Sequence, residues 1–166
     1  RTLQAGDLPK IKILDLIRVF PFGTSQIDDI PGLANKIQQM GLSSNSSNGS
    51  PGLPQSFCSK FLYVMKPDTL IPYDSYVLRS LQKRTGQSLK TLEMYYSTAD
   101  QFRQQYFHEK SEEVKKIRLK TDPEFRKHLA SLNMEVEKVL SWKLTDKYLW
   151  CEEYVRRSKA VGRKVI

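Results

Sequence analysis

Residues 88–106, SLKTLEMYYSTADQFRQQY, contain the clearest structural pattern in the chain. Apolar and aromatic side chains recur there at every third or fourth position, which is the period of one helix face. The members of this stripe are Leu92, Tyr95, Tyr96, Ala99, Phe102 and Tyr106. Ser88 precedes the stripe as the expected N-cap. We predict a helix whose rings pack on a core, with base stacking as the alternative use of the same rings.

Helical patterns continue toward the C-terminus. Residues 111–120 are highly charged, and Glu112 and Lys116 are spaced as a favourable i,i+4 pair. Asp122 followed by Pro123 predicts the start of another helix. A long final helix is predicted from the spacing of Val136, Leu140, Leu144, Tyr148 and Val155. It leads into a basic tail at residues 156–166.

Four further helices are predicted toward the N-terminus. The first spans Leu8 to Phe20, and the second starts after Asp29, because Pro31 fits a first turn, and stops at Gly41. Its apolar face would be Ile30, Leu33, Ala34, Ile37 and Met40. The Ser/Asn/Gly-rich residues 42–54 predict a mobile loop. A third helix runs from Gln55 to Lys66 with Phe57, Phe61, Leu62 and Met65 inward, and a fourth runs from Asp74 to Arg84 and is closed by Gly86.

These patterns together predict the fold class. No segment shows the sustained period-two alternation of a strand, and no internal repeat is present. A chain of 166 residues is the size of one domain. We therefore expect an all-α protein, a single compact domain over residues 1–166 with seven to eight helices.

Composition limits the classes of function. The chain has 27 Lys and Arg against 18 Asp and Glu, a formal charge of +9, which favours a polyanionic partner over a neutral one. A merely basic soluble protein, or one that binds RNA or an acidic protein, remains the alternative. No apolar run reaches the roughly 18 residues of a membrane span, so no membrane partner is expected.

The residues that most often hold metals or perform chemistry are sparse. Cys58 and Cys151 lie in helical patterns without Cys or His neighbours, so we expect buried free thiols, a reducing cytoplasmic location and no metal or cofactor. His108 and His128 lie in charged surroundings and are expected to be exposed. No glycine-rich phosphate loop or hydrolase motif is present.

One stretch, residues 59–78, SKFLYVMKPDTLIPYDSYVL, combines groups with chemical potential. Lys60 lies early in an apolar helix, and Asp74 opens the next helix after two prolines. An aspartate at that position is stabilised in its ionised form by the backbone N–H groups and the helix dipole. Asp74 is thus predicted either as a plain N-cap or as a base or cation-stabilising group facing Lys60.

This stretch resembles the catalytic half of the helix-hairpin-helix DNA glycosylase superfamily. In that family a helix carries a lysine that attacks the sugar C1′, and a Pro-x-Asp loop places the catalytic aspartate at a helix N-terminus. Lys60 and the triplet Pro72-Tyr73-Asp74 match those positions. Residues 59–78 and the later LTDKYLW, residues 144–150, are also similar to small bacterial proteins that share the signature. Ser56 and Cys58 stand where the family has its hairpin glycines.

The resemblance implies a helix-hairpin-helix glycosylase-like fold that binds duplex DNA, flips a base and cleaves its N-glycosidic bond. Lys60 and Asp74 would be its catalytic residues. Candidate phosphate contacts are the basic residues Arg84, Lys90, Arg156, Arg157 and Lys159. The alternative is a non-enzymatic helical interaction module, including a component of a bacterial defence system.

Overall fold

The computed structural model describes Leu16, Phe20, residues 26–40 and residues 55–160. Within these ranges the chain is all-α, and no strand is present. Seven helices are described: α1 Gln26–Gln39, α2 Gln55–Met65, α3 Ser75–Thr85, α4 Leu92–Glu109, α5 Ser111–Leu119, α6 Pro123–Ser131 and α7 Val136–Ala160. None of them is long and apolar enough to cross a membrane. Four predicted features lie outside the described residues: the first helix apart from Leu16 and Phe20, the helix stop at Gly41, the loop at residues 42–54 and the tail at residues 161–166.

The chain divides into two compact units, residues 1–62 and residues 63–166, with the boundary inside α2. In the N-terminal unit, α1 buries the expected face of Ile30, Leu33, Ala34 and Ile37. The predicted start of α1 was wrong, because the helix begins at Gln26 and Pro31 lies inside it. Asp28 and Asp29 occupy the first turn, where the helix dipole stabilises negatively charged side chains. Pro31 has no N–H and cannot make the helical hydrogen bond to the Ile27 carbonyl.

Two methionines and one cysteine expected to be buried are exposed. Met40 is 40% exposed at the end of α1, and Met65 is 51% exposed at the end of α2. Helix ends project past their packing partners, so the last residue of a stripe is the one most easily left uncovered. Cys58 is buried and Cys151 is exposed, and both are free thiols. Burial raises the pKa of the Cys58 thiol to about 12.

The C-terminal unit is organised around α7, which packs against each of the four helices α3, α4, α5 and α6. The core of this unit is formed by Leu70, Ile71, Val77, Leu81, Leu89, Tyr95, Tyr96, Ala99, Leu129, Val139, Trp142 and Leu149. The predicted packing role of Tyr95 and Tyr96 is thereby confirmed. Phe102 and Tyr106, farther along the same stripe, are half-buried.

Local capping explains where the helices of this unit begin and end. Asp74 caps α3, and Gly86 closes it in the left-handed conformation at φ 68°, which a residue without Cβ adopts at little cost. Asp122 caps α6 with Pro123 in its first turn, as predicted. The N-cap of α4 is Thr91 and not the expected Ser88, since its hydroxyl accepts from the Met94 N–H at 3.2 Å.

The residues whose spacing predicted α7 are not its most buried ones. Leu140 and Leu144 are half-buried and Tyr148 is 40% exposed. The buried positions are Val139, Ser141, Trp142, Thr145, Asp146, Leu149, Glu153 and Ser158. Five of these eight side chains are polar, so a search for apolar residues alone selects the neighbouring face of the helix.

Candidate nucleic-acid interface

Asp74 lies at the N-terminus of α3, in extended conformation with φ −130° and ψ 141°. Its carboxylate accepts a hydrogen bond from the backbone N–H of Tyr76 at 2.8 Å between Oδ1 and N. One of the unpaired N–H groups of the first turn is thereby satisfied. The capping interpretation of Asp74 is confirmed, and its catalytic role stays a prediction.

The loop that leads to Asp74 is held by the buried side chain of Tyr95. The Tyr95 hydroxyl donates to the carbonyl oxygen of Pro72 at 2.7 Å. The ring of Tyr73 meets the Tyr95 ring edge to face, with centroids 4.9 Å apart. Each residue of the triplet Pro72-Tyr73-Asp74 therefore has a defined anchor, two of them on Tyr95.

The Tyr95 hydroxyl remains a neutral donor. Burial raises its pKa well above 10, and the neighbouring Tyr96 raises the pKa further. A hydrogen bond with the Asp74 backbone lowers the pKa, and the charges of Asp146 and Asp74 raise it. Asp74 and Asp146 thus both act electrostatically on one buried tyrosine. Asp146 is 9% exposed, and the Lys147 Nζ lies 3.8 Å from its Oδ2. Burial, and to a smaller extent the charge of Asp146, raises the pKa of Tyr63 to about 12. Asp146 falls within the LTDKYLW segment but was not predicted as a site residue.

Three aromatic rings form a stack beside the first turn of α3, which we call the aromatic ladder: Tyr76, Trp150 and Tyr154. The Tyr76 and Trp150 centroids are 5.4 Å apart at 25°, and the Trp150 and Tyr154 centroids are 5.0 Å apart at 11°. The Arg157 guanidinium lies 5.1 Å from the Tyr76 centroid, within the range of a cation–π contact. Trp150, Tyr154 and Arg157 follow the spacing of one helix face, a signal available in the sequence.

Glu153 fixes the two neighbouring arginines of α7. It is 1% exposed and accepts from Arg156 Nε and Nη2, both at 2.7 Å, and from Arg157 Nε at 2.9 Å. Only one of the five N–H donors of Arg157 is used in this contact, so its Nη groups are left to face a further acceptor. Lys159, one helical half-turn on, is exposed.

Arg84 lies at the other end of α3, held by Glu152. Its Nε and Nη2 donate to the two Glu152 oxygens at 2.9 and 2.6 Å, and Ser80 also donates to Glu152. Partial burial lowers the pKa of Arg84, but the hydrogen bonds and charges of Glu152 and Tyr148 outweigh it and raise the pKa. Arg84 and Arg157, both in the predicted phosphate-binding set, therefore lie at opposite ends of α3. Lys90, beyond the C-terminus of α3, is exposed.

The remaining predicted residues are positioned as follows. Lys60 is an exposed residue of α2 in the N-terminal unit, so its pairing with Asp74 stays a prediction. Both histidines, His108 and His128, are exposed as expected. Among the residues that the structure describes, no cluster of three or more His, Cys, Asp or Glu side chains is arranged to hold a metal ion.

Comparison of the chain with protein-family models, with curated proteins and with solved structures returned no match.

Proposed function

We propose that the C-terminal unit binds nucleic acid, and duplex DNA in particular, at the N-terminal end of α3. The observation that carries the proposal is the position of Arg157, whose guanidinium lies over the ring of Tyr76 while Asp74 caps the backbone N–H of that same residue. Two residues that are 83 positions apart, one acidic and one basic, therefore converge on one turn of helix. The aromatic ladder adjoins them and supplies π-faces for bases.

The distribution of charge supports a polyanionic partner. Residues 63–166 contain 21 of the 27 basic side chains and 14 of the 18 acidic ones. Most of the excess positive charge is therefore carried by the unit that contains the ladder. A surface of this kind attracts phosphates through counterion release, with an affinity that falls as salt rises.

The finer proposal is a base-excision N-glycosylase of helix-hairpin-helix glycosylase-like fold. The Lys60 amine would form a bond to C1′ as the C1′–N bond to the flipped base breaks, and the proton that the amine loses to Asp74 would pass to the departing base. The Asp74 carboxylate would act as the base and stabilise the positive charge that develops on the sugar. Opening of the sugar ring would then leave an iminium (Schiff base) between Lys60 and C1′.

The binding step is tested by fluorescence anisotropy with two short duplexes, one intact and one with an abasic-site analogue, over a salt series. We expect binding that weakens with salt and is tighter for the abasic analogue. Equal affinity for the two duplexes would leave DNA binding without the glycosylase chemistry. No binding near physiological salt would reject the nucleic-acid proposal.

The chemical step is tested by borohydride, which reduces a lysine Schiff base to a stable protein–DNA conjugate. The wild-type chain should be trapped on an abasic-site duplex, and Lys60→Ala should not be. Asp74→Asn keeps a capping oxygen and should fold normally while losing base release. Trapping that persists in Lys60→Ala would assign the amine to another residue.

The second candidate is a non-enzymatic helical interaction module. It is favoured by the internal contacts of the predicted residues, because Asp74 is used as a cap and Arg84, Arg156 and Arg157 each have a glutamate partner. A module of this kind would form no borohydride-stable conjugate, and Asp74→Asn would leave its partner binding unchanged.

A further inference from the structure

A separate cleft opens in the C-terminal unit near the C-terminus of α3, between α3, α4 and α7. Its volume is about 400 Å³, which lies within the range of clefts that hold small ligands. Arg84 lies ten residues after Asp74, so at 1.5 Å per residue the cleft is roughly 15 Å from the Asp74 cap. It is therefore distinct from the end of α3 that carries the aromatic ladder.

Three aromatic rings line this cleft: Phe102, Tyr106 and Tyr148. Phe102 lies 5.8 Å from Tyr106 and 5.8 Å from Tyr148, at interplanar angles near 25°, and the Tyr106 and Tyr148 centroids are 4.9 Å apart. All three are only partly covered, in contrast to the fully buried Tyr95, which lies on the same helix as Phe102 and Tyr106. Partly covered rings grouped at a cleft provide a surface on which a flat ligand can stack.

The Arg84 guanidinium is fixed in the wall of the cleft. It lies 4.9 Å from the Phe102 centroid and 5.2 Å from the Tyr148 centroid, and its Nη2 donates to the Tyr148 hydroxyl at 3.0 Å. Glu152 holds the Nε and Nη2 side of the group. A cation whose orientation is set before a ligand arrives loses little entropy on binding an anion.

The rest of the lining is polar, and its groups suit the edge of a nucleobase. Gln101 and Gln105 bring side-chain amides, which both donate and accept hydrogen bonds. The Gln105 amide nitrogen donates to Glu109 at 3.0 Å, which orients both side chains. Lys110 adds a second positive charge, with its Nζ 3.7 Å from the Glu113 carboxylate, and Glu109 adds a negative charge to the lining. An apolar ligand would match only the rings, whereas a base with a phosphate matches rings, amides and cations together.

We infer that this cleft binds a single nucleotide unit, with its base against the aromatic rings and its phosphate toward Arg84 and Lys110. The same chemistry is offered by a free mononucleotide and by an unpaired nucleotide of a strand. The inference does not require duplex binding at the ladder, so each proposal can fail without the other.

The test is saturation-transfer NMR and calorimetric titration of the full chain with AMP. Tyr106→Leu removes one ring and keeps a smaller apolar side chain, and Tyr154→Leu removes a ring of the ladder as the matched control. AMP should receive saturation at its base protons, and Tyr106→Leu should bind AMP at least about fivefold more weakly, the low end for loss of one base stack. Tyr154→Leu should bind AMP as the wild type does.

Further comparisons separate the parts of the ligand and its source. Ribose 5-phosphate should not displace AMP, because it lacks the base. A single-stranded oligoadenylate that competes with AMP would assign the cleft to a strand, and one that does not compete would assign it to free nucleotides. Gln101→Ala, at an exposed position, should also weaken AMP binding if Tyr106→Leu does not fold. No saturation transfer to AMP, or equal AMP affinity in the wild type and both cleft variants, would overturn the inference.

Discussion

The two ends of α3 are built from similar parts used in different ways. At the N-terminal end, Arg157 and Tyr76 lie beside the Asp74 cap, and the glutamate that holds Arg157 is buried. At the C-terminal end, Arg84 pairs with the exposed Glu152 and borders an open cleft. Glu152 and Glu153 are consecutive residues of α7, yet each organises a different end. Consecutive helix positions point about 100° apart, so two identical residues can support two separate surfaces.

The contrast between the two glutamates gives the largest expected effect. Glu153→Gln removes a buried carboxylate that accepts from two arginines, and should lower the free energy of unfolding by about 1–3 kcal/mol. Glu152→Gln affects a pair that is more than one-third exposed and should cost under about 1 kcal/mol. Urea denaturation of both variants measures the difference. Equal losses of unfolding free energy in the two variants would mean that burial does not make Glu153 more important for stability than Glu152.

The anchor of the Asp74 loop is tested by Tyr95→Phe, which deletes only the hydroxyl that donates to Pro72. A lost hydrogen bond at a partly buried carbonyl should reduce the unfolding free energy by about 1–2 kcal/mol. If this contact positions the N-terminal end of α3, Tyr95→Phe should bind duplex DNA more weakly than the wild type does, while AMP binding at the cleft is retained. Equal weakening of both ligands would show that the substitution acts on the whole unit.

The cap itself is tested by two substitutions of Asp74. Asp74→Ala removes the acceptor of the Tyr76 N–H and should cost about 1 kcal/mol in thermal or urea unfolding. Asp74→Asn keeps an acceptor and should lower the free energy of unfolding by only a few tenths of about 1 kcal/mol. A large loss in Asp74→Asn would mean that the negative charge, and not the cap geometry, stabilises this end.

At the C-terminal end of α3, the contribution of Glu152 to the free energy of unfolding should depend weakly on pH. Burial alone would raise the pKa of Glu152, but hydrogen bonds from Arg84 and Ser80 outweigh it and lower the pKa below 4.5. Because the folded-state pKa is the lower one, the contribution of Glu152 is fully present above pH 4.5 and is lost as pH falls through the folded-state pKa. The stability difference between wild type and Glu152→Gln should therefore shrink on acidification from pH 7 to pH 3. A difference that is constant over this range would exclude the linkage.

Those parts of the fold that depend on residues close together in the sequence could be predicted from the sequence. The all-α class, the Asp74 and Gly86 boundaries of α3 and the Asp122–Pro123 start of α6 are set by local capping chemistry, and the structure confirms them. The buried face of α7 could not be predicted, since it includes the charged residues Asp146 and Glu153 on a helix that packs against four others. Hydrophobic periodicity carries no information on such positions.

The candidate site divides in the same way. Asp74 was predicted because an aspartate before a helix has a recognisable local role. Arg84 was predicted as a phosphate contact, and that role stays a prediction. Its partner Glu152 could not be predicted, because it is 68 residues away and is brought to Arg84 by the packing of α3 on α7. The aromatic ladder also depends on that packing, although the spacing of Trp150 and Tyr154 could have indicated two of its three rings.

The central claim is that the N-terminal end of α3 binds nucleic acid, and the most direct test is the salt dependence of duplex binding. The slope of log Kobs against log salt should be measured for wild type, Arg157→Gln and Arg84→Gln. Loss of one phosphate contact lowers the magnitude of that slope by about one. We predict this reduction for Arg157→Gln and an unchanged slope for Arg84→Gln. An unchanged slope for Arg157→Gln, or a reduction for Arg84→Gln alone, would contradict the assignment.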